Sequence, residues 1–406
     1  MRGSVRPPLR TTQAGISLVE TLVALVLGLA MVSVAFNLYV SNRSVFRQIE
    51  AMVRLQESAS IAAALLETSI RHARGTLCRN STPTTTLLNA ASPNPYTDHR
   101  PTIPYAYWER PDGADLLGLH GYESIQTDPI VGSLRLAGDS ISIMSDNMGK
   151  VARVTAPATY TSAAGTGGLT GSYTFTVDNA SDFPVGTVAM ACDYTRAVLF
   201  QVTQSSASTI TLQANEGPPL SPGNCAVTMR RKVDAGQAVA AMDGQWSCSS
   251  GAGLNPRFGE MYPFGPGSMI GEHTFHHWYV GKSTSTGACC SLRRVRTAYK
   301  AAGVYSTDEE IVENVTNMQI TYLAGWLGTG YPAESFYKVA LSNNGDPSIG
   351  ENPRNSFRGV TAVRIVLTLT SPDKVGLAAN NAASAATYTI PINVAIRARI
   401  PGVVRR

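Results

Sequence analysis

The sequence predicts an α+β fold: one long N-terminal α-helix, with a membrane half and an amphipathic half, packed on a C-terminal antiparallel β-sheet domain. Three observations predict it. Residues 16–42 are apolar and carry one charge, Glu20. An apolar stripe at helical spacing runs on to Ile70, with no proline between Pro8 and Pro83. After residue 76 the pattern changes to short β-branched runs broken by Gly, Pro, Asn and Ser. Composition sets the bounds. Of 406 residues only 15% are charged, and the net charge is +5. Ordinary Gly and Pro usage excludes collagen-like repetition and wholesale disorder, and the length supports a sizeable core. Six cysteines are too few for a disulfide-dense miniprotein but enough for three bridges.

The first element is a basic leader. Residues 1–15 hold Arg2, Arg6 and Arg10 and no acid. The apolar run follows, and Thr21–Asn42 gives 22 uncharged residues. At 1.5 Å per residue that is enough for a hydrocarbon core of about 30 Å. A secretory signal would place small residues at the far end of a shorter run. Here Ala14 and Gly15 precede it. Beyond the span, Val45, Ile49, Met52, Gln56, Ala59, Ala63, Leu66 and Ile70 alternate spacings of four and three, one stripe with one polar interruption. Gly75, following Arg71 and Arg74, is placed as a C-cap. The spacing therefore predicts a single helix over 16–74: transmembrane or filament core over 16–42, amphipathic over 43–75.

Gly15-Ile16-Ser17-Leu18-Val19-Glu20 resembles the class III signal of type IV pilins: a short basic leader, Gly, an apolar first mature residue, and Glu at the fifth mature position. The resemblance implies that a prepilin peptidase cuts between Gly15 and Ile16 on the cytoplasmic side and methylates the new amine of Ile16. Removal of three arginines would take the net charge from +5 to +2. It also implies an assembly role for Glu20, aided by Ser17. An isolated acid in an apolar span costs about 2.5–3.5 kcal/mol on insertion scales, so such a residue normally serves a function.

The strands expected after the helix are Ser140–Met144, Tyr173–Val177, Thr187–Ala191, Ala197–Val202, Thr209–Leu212, Ala226–Met229, Thr274–Val280, Leu292–Ala298, Ile311–Leu323, Tyr337–Leu341, Val360–Thr370 and Thr387–Ala398. Pro391 marks the last as an edge or bulged strand. Thr155–Gly171 and Asn343–Ser356 are expected as surface loops. Several stretches resemble the PilW type of minor pilin: the stem Arg47–Ala73, Ala191–Thr203, Glu309–Leu323, Ala362–Ser371 and Tyr388–Arg399. The resemblance covers residues 15–75 and 300–400 and is patchy from about 80 to 290. The implied organisation is therefore a β-rich variable region over 76–300 and the last pilin-domain strands over 301–406. Family membership implies a minor subunit that primes pilus assembly near the tip, supporting adhesion and twitching motility. It would work with other minor pilins, the major pilin, a large tip adhesin and the inner-membrane assembly platform. The globular part would be periplasmic and later extracellular.

All six cysteines, Cys78, Cys192, Cys225, Cys248, Cys289 and Cys290, lie beyond the apolar span, on the side that would be oxidising. The pairing expected is Cys192 with Cys225, and Cys248 with Cys289 or Cys290, because vicinal cysteines rarely bond each other. Cys78 takes the leftover partner and fastens the helix end to the β domain. His273, His276 and His277 lack zinc-site framing and are expected to be structural, with His276 facing away from the other two on a strand. Gly281-Lys282-Ser283 mimics a phosphate-binding loop without its first glycine, and Gly138-Asp139-Ser140 mimics an esterase nucleophile without identifiable partners. No enzyme activity, cofactor or metal is expected. Arg397, Arg399, Arg405 and Arg406 form a small basic tail expected to be solvated rather than bound to nucleic acid. Two other readings share the Glu20 motif, a minor pseudopilin of type II secretion and a tip adhesin in its own right.

Overall fold

The computed structural model describes residues 17–73, 77, 84–88, 119–125, 128, 130–162, 171–194, 197–213, 223–224, 263–285, 287, 289–300, 303–324, 336–337, 360–372, 376–377 and 383–396. Two compact units divide the chain, Met1–Arg54 with Ser371–Ala386 and Leu55–Thr370 with Thr387–Arg406.

Helix α1 (Leu18–Arg71) spans 54 residues. It is rich in Leu and Ala and free of Pro, so propensity favours it throughout. The ladder starts where the Thr21 amide donates to the Ser17 carbonyl at 3.2 Å. Glu50–Arg54 and Glu67–Arg71 are ion pairs in the favourable order, acid toward the N-terminus. Leu55, Ala59, Ala62, Leu66 and Ile70 are buried. This corrects the expected stripe. Burial begins at Leu55, because Val45 and Ile49 are 44% and 54% exposed, and Leu55 and Ala62 replace Gln56 and Ala63.

The strands are β1 (Thr84–Thr86), β2 (Leu119–Tyr122), β3 (Ala137–Ser162), β4 (Gly171–Val177), β5 (Val188–Cys192), β6 (Ala197–Gln201), β7 (Gln204–Ser205), β8 (Thr209–Gln213), β9 (Met269–Lys282), β10 (Cys289–Lys300), β11 (Gly303–Glu313), β12 (Val315–Ala324), β13 (Phe336–Tyr337), β14 (Val360–Thr370), β15 (Gly376–Leu377), β16 (Ala383–Ser384) and β17 (Thr387–Ala395). An 11-stranded sheet runs β1-β6-β5-β9-β3-β4-β8-β7, with β2 on β3, β10 on β9 and β11 on β10. A four-stranded sheet runs β13-β12-β14-β17 and a two-stranded one joins β15 to β16. Every described pairing except β1–β6 is antiparallel. Pro391 sits in β17, at the sheet's edge. β10 and β11, on either side of residue 300, pair along their length.

Two expectations change. Thr155–Ser162 is strand rather than loop, because its Thr and Tyr residues continue β3 against β4, as in Tyr160↔Tyr173. Ile311–Leu323 is two strands, broken at Asn314, whose φ of 64° only a few residue types tolerate. Ala226–Met229, Asn343–Ser356, most of Tyr337–Leu341 and the basic tail lie outside the described residues.

All five residues of β5 and all five of β6 are buried. Ala189, Ala191, Val198 and Phe200 join a core with Phe175 and Phe264, whereas Val188, Met190, Cys192, Ala197 and Leu199 join another with Phe275 and Tyr279. The centre of the large sheet is thus covered on both faces, which explains strands that are apolar without alternation.

The large and four-stranded sheets meet at a seam. Gly138 has φ +66°, and a Cβ there would fall on the Met318 carbonyl and 2.6 Å from its amide nitrogen. Asp139, 1% exposed, accepts the Ser124 amide at 2.9 Å and the Ile320 amide at 2.7 Å. Gly121 leaves room for the Tyr322 hydroxyl. Gly138→Ala should therefore cost about 3 kcal/mol or more, combining left-handed strain with overpacking. A thermal melt of the detergent-solubilised protein measures it, and a wild-type melting temperature would contradict the seam.

Candidate functional site

Two regions concentrate functional features. The first is the start of α1. Ser17 precedes the first helical residue, and Glu20 lies in the first turn, where an acid is favoured by the helix dipole. Gly15 and Ile16 lie outside the described residues. From Leu18 to Val40 the large apolar side chains are 49–77% exposed. An 18-residue window here has mean hydropathy 2.3 and is 0% buried, so the helix is long and apolar enough to cross a membrane. An apolar surface of this size has to be covered by lipid or by other apolar helices.

The second region is a buried polar centre between β3 and β9. Asp128 turns back on its own chain, its Oδ1 accepting the Ile130 and Val131 amides at 2.9 and 3.2 Å. Its Oδ2 accepts the Ser140 hydroxyl at 2.5 Å and faces His277 Nε2 at 3.0 Å. His277 Nδ1 lies 2.9 Å from the Ser142 hydroxyl, and Arg135 donates to Ser140 Oγ and to the Tyr122 carbonyl, both at 3.1 Å. Four residues along the same strands, His273 Nδ1 meets Asp146 Oδ1 at 3.0 Å, and Asp146 Oδ2 accepts the Leu77 amide at 3.3 Å. His273 and His277 thus share the inward face. His276 points toward Arg294 and Arg296; burial, then those two cations, push its pKa down to about 4.

The two carboxylates respond differently to burial. For Asp128 burial favours the neutral acid, but the facing His277 and the bonds from His277, Ser140 and Ile130 outweigh it and hold the carboxyl well below the usual range. Asp146 is as buried but has fewer compensating partners, and there burial prevails over the His273 and Leu77 bonds and raises the pKa.

The Ser142–His277–Asp128 chain has the membership of a hydrolytic triad but cannot act as one. Ser140, Ser142 and His277 are 0%, 2% and 0% exposed, so no substrate reaches an attacking oxygen. A cleft of about 470 Å³ opens beside Asp128, lined by Ser124, Ser133, Arg135 and Leu136, but neither Ser142 nor His277 lines it. The centre is a clasp. The Gly138-Asp139-Ser140 motif is absorbed by it, the glycine and aspartate forming the seam and the serine donating to Asp128. Among the described residues no group of three His, Cys, Asp or Glu side chains converges as a metal would need. Asp128 was not legible as a partner. Its only sequence signal is the Asp128-Pro129 dipeptide, which favours a turn.

Cys289 and Cys290 lie side by side at the bulge where β10 slips register against β9. Cys192 is disulfide-bonded and fully buried. Cys78, Cys225 and Cys248 lie outside the described residues. Compared with known proteins, the chain matches no protein-family model, no curated protein and no solved structure.

The clasp has a pH signature. A carboxyl whose folded pKa is depressed contributes stability above its unfolded value, about 3.9, and loses it as pH falls toward the folded value. Asp128→Asn should be roughly 3 kcal/mol less stable than wild type at pH 7, because it leaves the buried His277 without its carboxylate. The difference should narrow as pH drops below about 4. Paired chemical denaturation at pH 7 and pH 3 decides it; an unchanged difference would exclude the charged pairing.

Proposed function

We propose that this chain is a minor pilin of the PilW type, a structural subunit that helps prime type IV pilus assembly and resides near the pilus tip. The carrying observation is the run Gly15-Ile16-Ser17-Leu18-Val19-Glu20 leading into a helix that is apolar and exposed on all sides to Val40 and buried along one stripe from Leu55. On this reading prepilin peptidase cuts after Gly15, and the mature chain waits in the inner membrane with its N-terminus cytoplasmic and its β domain periplasmic. The assembly platform then moves it into the filament, among other minor pilins, the major pilin and a large tip adhesin.

The chemistry of the helix start supports such a role. Glu20 is the only charge in the apolar half of the mature helix, and an unpaired carboxylate is costly there. Cleavage would create a cationic amine at Ile16, one turn away. In a filament the carboxylate of one subunit can neutralise the amine of its neighbour, and in a low dielectric that attraction fixes axial stagger. Glu20→Val should leave insertion and cleavage intact and lower the protein in sheared pili at least tenfold. Immunoblots of inner membrane and of pili read the two steps separately, and normal incorporation of the variant would sink the pairing role.

A further inference from the structure

Past the apolar span, the first charged side chains are Arg43 and Arg47, one turn apart on α1. Both are exposed, and neither enters an ion pair among the described residues. The nearest acid, Glu50, is already engaged, its Oε1 accepting Arg54 Nη2 at 2.6 Å. The stretch 39–54 therefore carries two cations with no acid to answer them.

Depth along the helix decides what surrounds them. Glu20 and Arg43 bracket 22 uncharged residues, which rise about 33 Å. The hydrocarbon core is about 30 Å thick, and a headgroup layer of about 5–8 Å lies on either side. With the uncharged run centred in the core, Arg43 stands about 2 Å beyond the hydrocarbon edge and Arg47 about 8 Å beyond it. These two positions are the inner and outer limits of the headgroup layer. Glu50 and Arg54 follow at about 13 and 19 Å, outside it. An arginine lays its methylene stem along apolar surface and carries its charge to the polar side, so both guanidinium groups reach the layer.

The helical turn groups these residues further. At about 100° per residue, Tyr39, Arg43, Phe46 and Arg47 fall within roughly 100° of one another. Tyr39 and Phe46 are 62% and 71% exposed. Tyr39 stands just inside the hydrocarbon edge, where a ring with an apolar body and a polar tip is favoured. One face of the helix, at one depth, thus presents two cations and two aromatic rings. A guanidinium carries its donors in a planar fork that fits phosphate oxygens two at a time. A zwitterionic lipid holds the same phosphate beside its own ammonium group, so unanswered cations select anionic headgroups.

We propose that Arg43 and Arg47 bind the headgroup phosphates of anionic phospholipid in the leaflet where α1 leaves the membrane, with Tyr39 and Phe46 seated beside them. Held there, the pair fixes the depth of the helix, so that the apolar run stays centred and Glu20 stays at the opposite edge. This binding depends on α1 crossing a membrane, as in the proposed function, and is independent of entry into a filament.

Native mass spectrometry of the full-length chain in detergent, titrated with phosphatidylglycerol or phosphatidylcholine, reads the binding. The wild type is expected to hold phosphatidylglycerol about tenfold or more tightly, each arginine beside an anionic surface giving about a fivefold factor. In Arg43→Gln/Arg47→Gln that preference should vanish, and in Arg54→Gln, outside the headgroup layer, it should persist. Equal binding of the two lipids by the wild type, an undiminished preference in the double variant, or its loss in Arg54→Gln would overturn the assignment. An alkaline carbonate wash of membranes tests the span separately. Release of the chain would remove the membrane reading itself, whereas a retained chain without lipid preference would overturn the arginine site alone.

Discussion

A single helix has to satisfy two different surroundings. Over Leu18–Val40 it exposes apolar side chains on every side, and from Leu55 to Ile70 it buries one line, with exposed residues that mix polar side chains with Ile61 and Leu65. Neither half could exchange places with the other. Full burial of each large side chain on the second half, Leu55, Leu66 and Ile70, contributes about 1.5–3 kcal/mol, enough to hold the stripe in place. The same side chains in the first half contribute nothing until lipid or another helix covers them. Glu20 is the one exception to that apolar half, and its cost in hydrocarbon makes it the residue whose partner matters most.

The β domain is built against a comparable demand for satisfaction. The centre of its large sheet is covered on both faces, so polar groups there need partners within the protein. Asp139 provides for two amides across the seam, Asp128 gathers His277, Ser140 and two amides, and Asp146 pairs His273 while holding the amide of Leu77. These carboxylates do the work of loops and caps. They fix the positions of segments that have little apolar surface of their own.

Much of this was legible in the residues. The 3.6-residue period and the absence of proline revealed α1, and alternation revealed β14, whose ends at Val360 and Thr370 are those expected. The inward pair His273 and His277 followed from period two. The phase of the buried line at Leu55 and Ala62 is not legible, because alanines and a lone leucine give little contrast from which to fix it. The length of β3 is not legible either, because Thr, Ala and Ser suit loops and strands alike, and pairing with β4 decides between them. Long-range partners were invisible: Asp128 and His277 are 149 residues apart, and no local pattern links them.

The central claim is that this chain is a processed subunit of a filament. Mass spectrometry of sheared, purified pili tests it most directly, with peptides of the chain quantified against those of the major subunit. The account predicts a protein present at a small fraction of the major subunit, with methylated Ile16 as its first residue. A chain confined to the inner membrane of cells with normal pili, or one in pili still carrying residues 1–15, would contradict it.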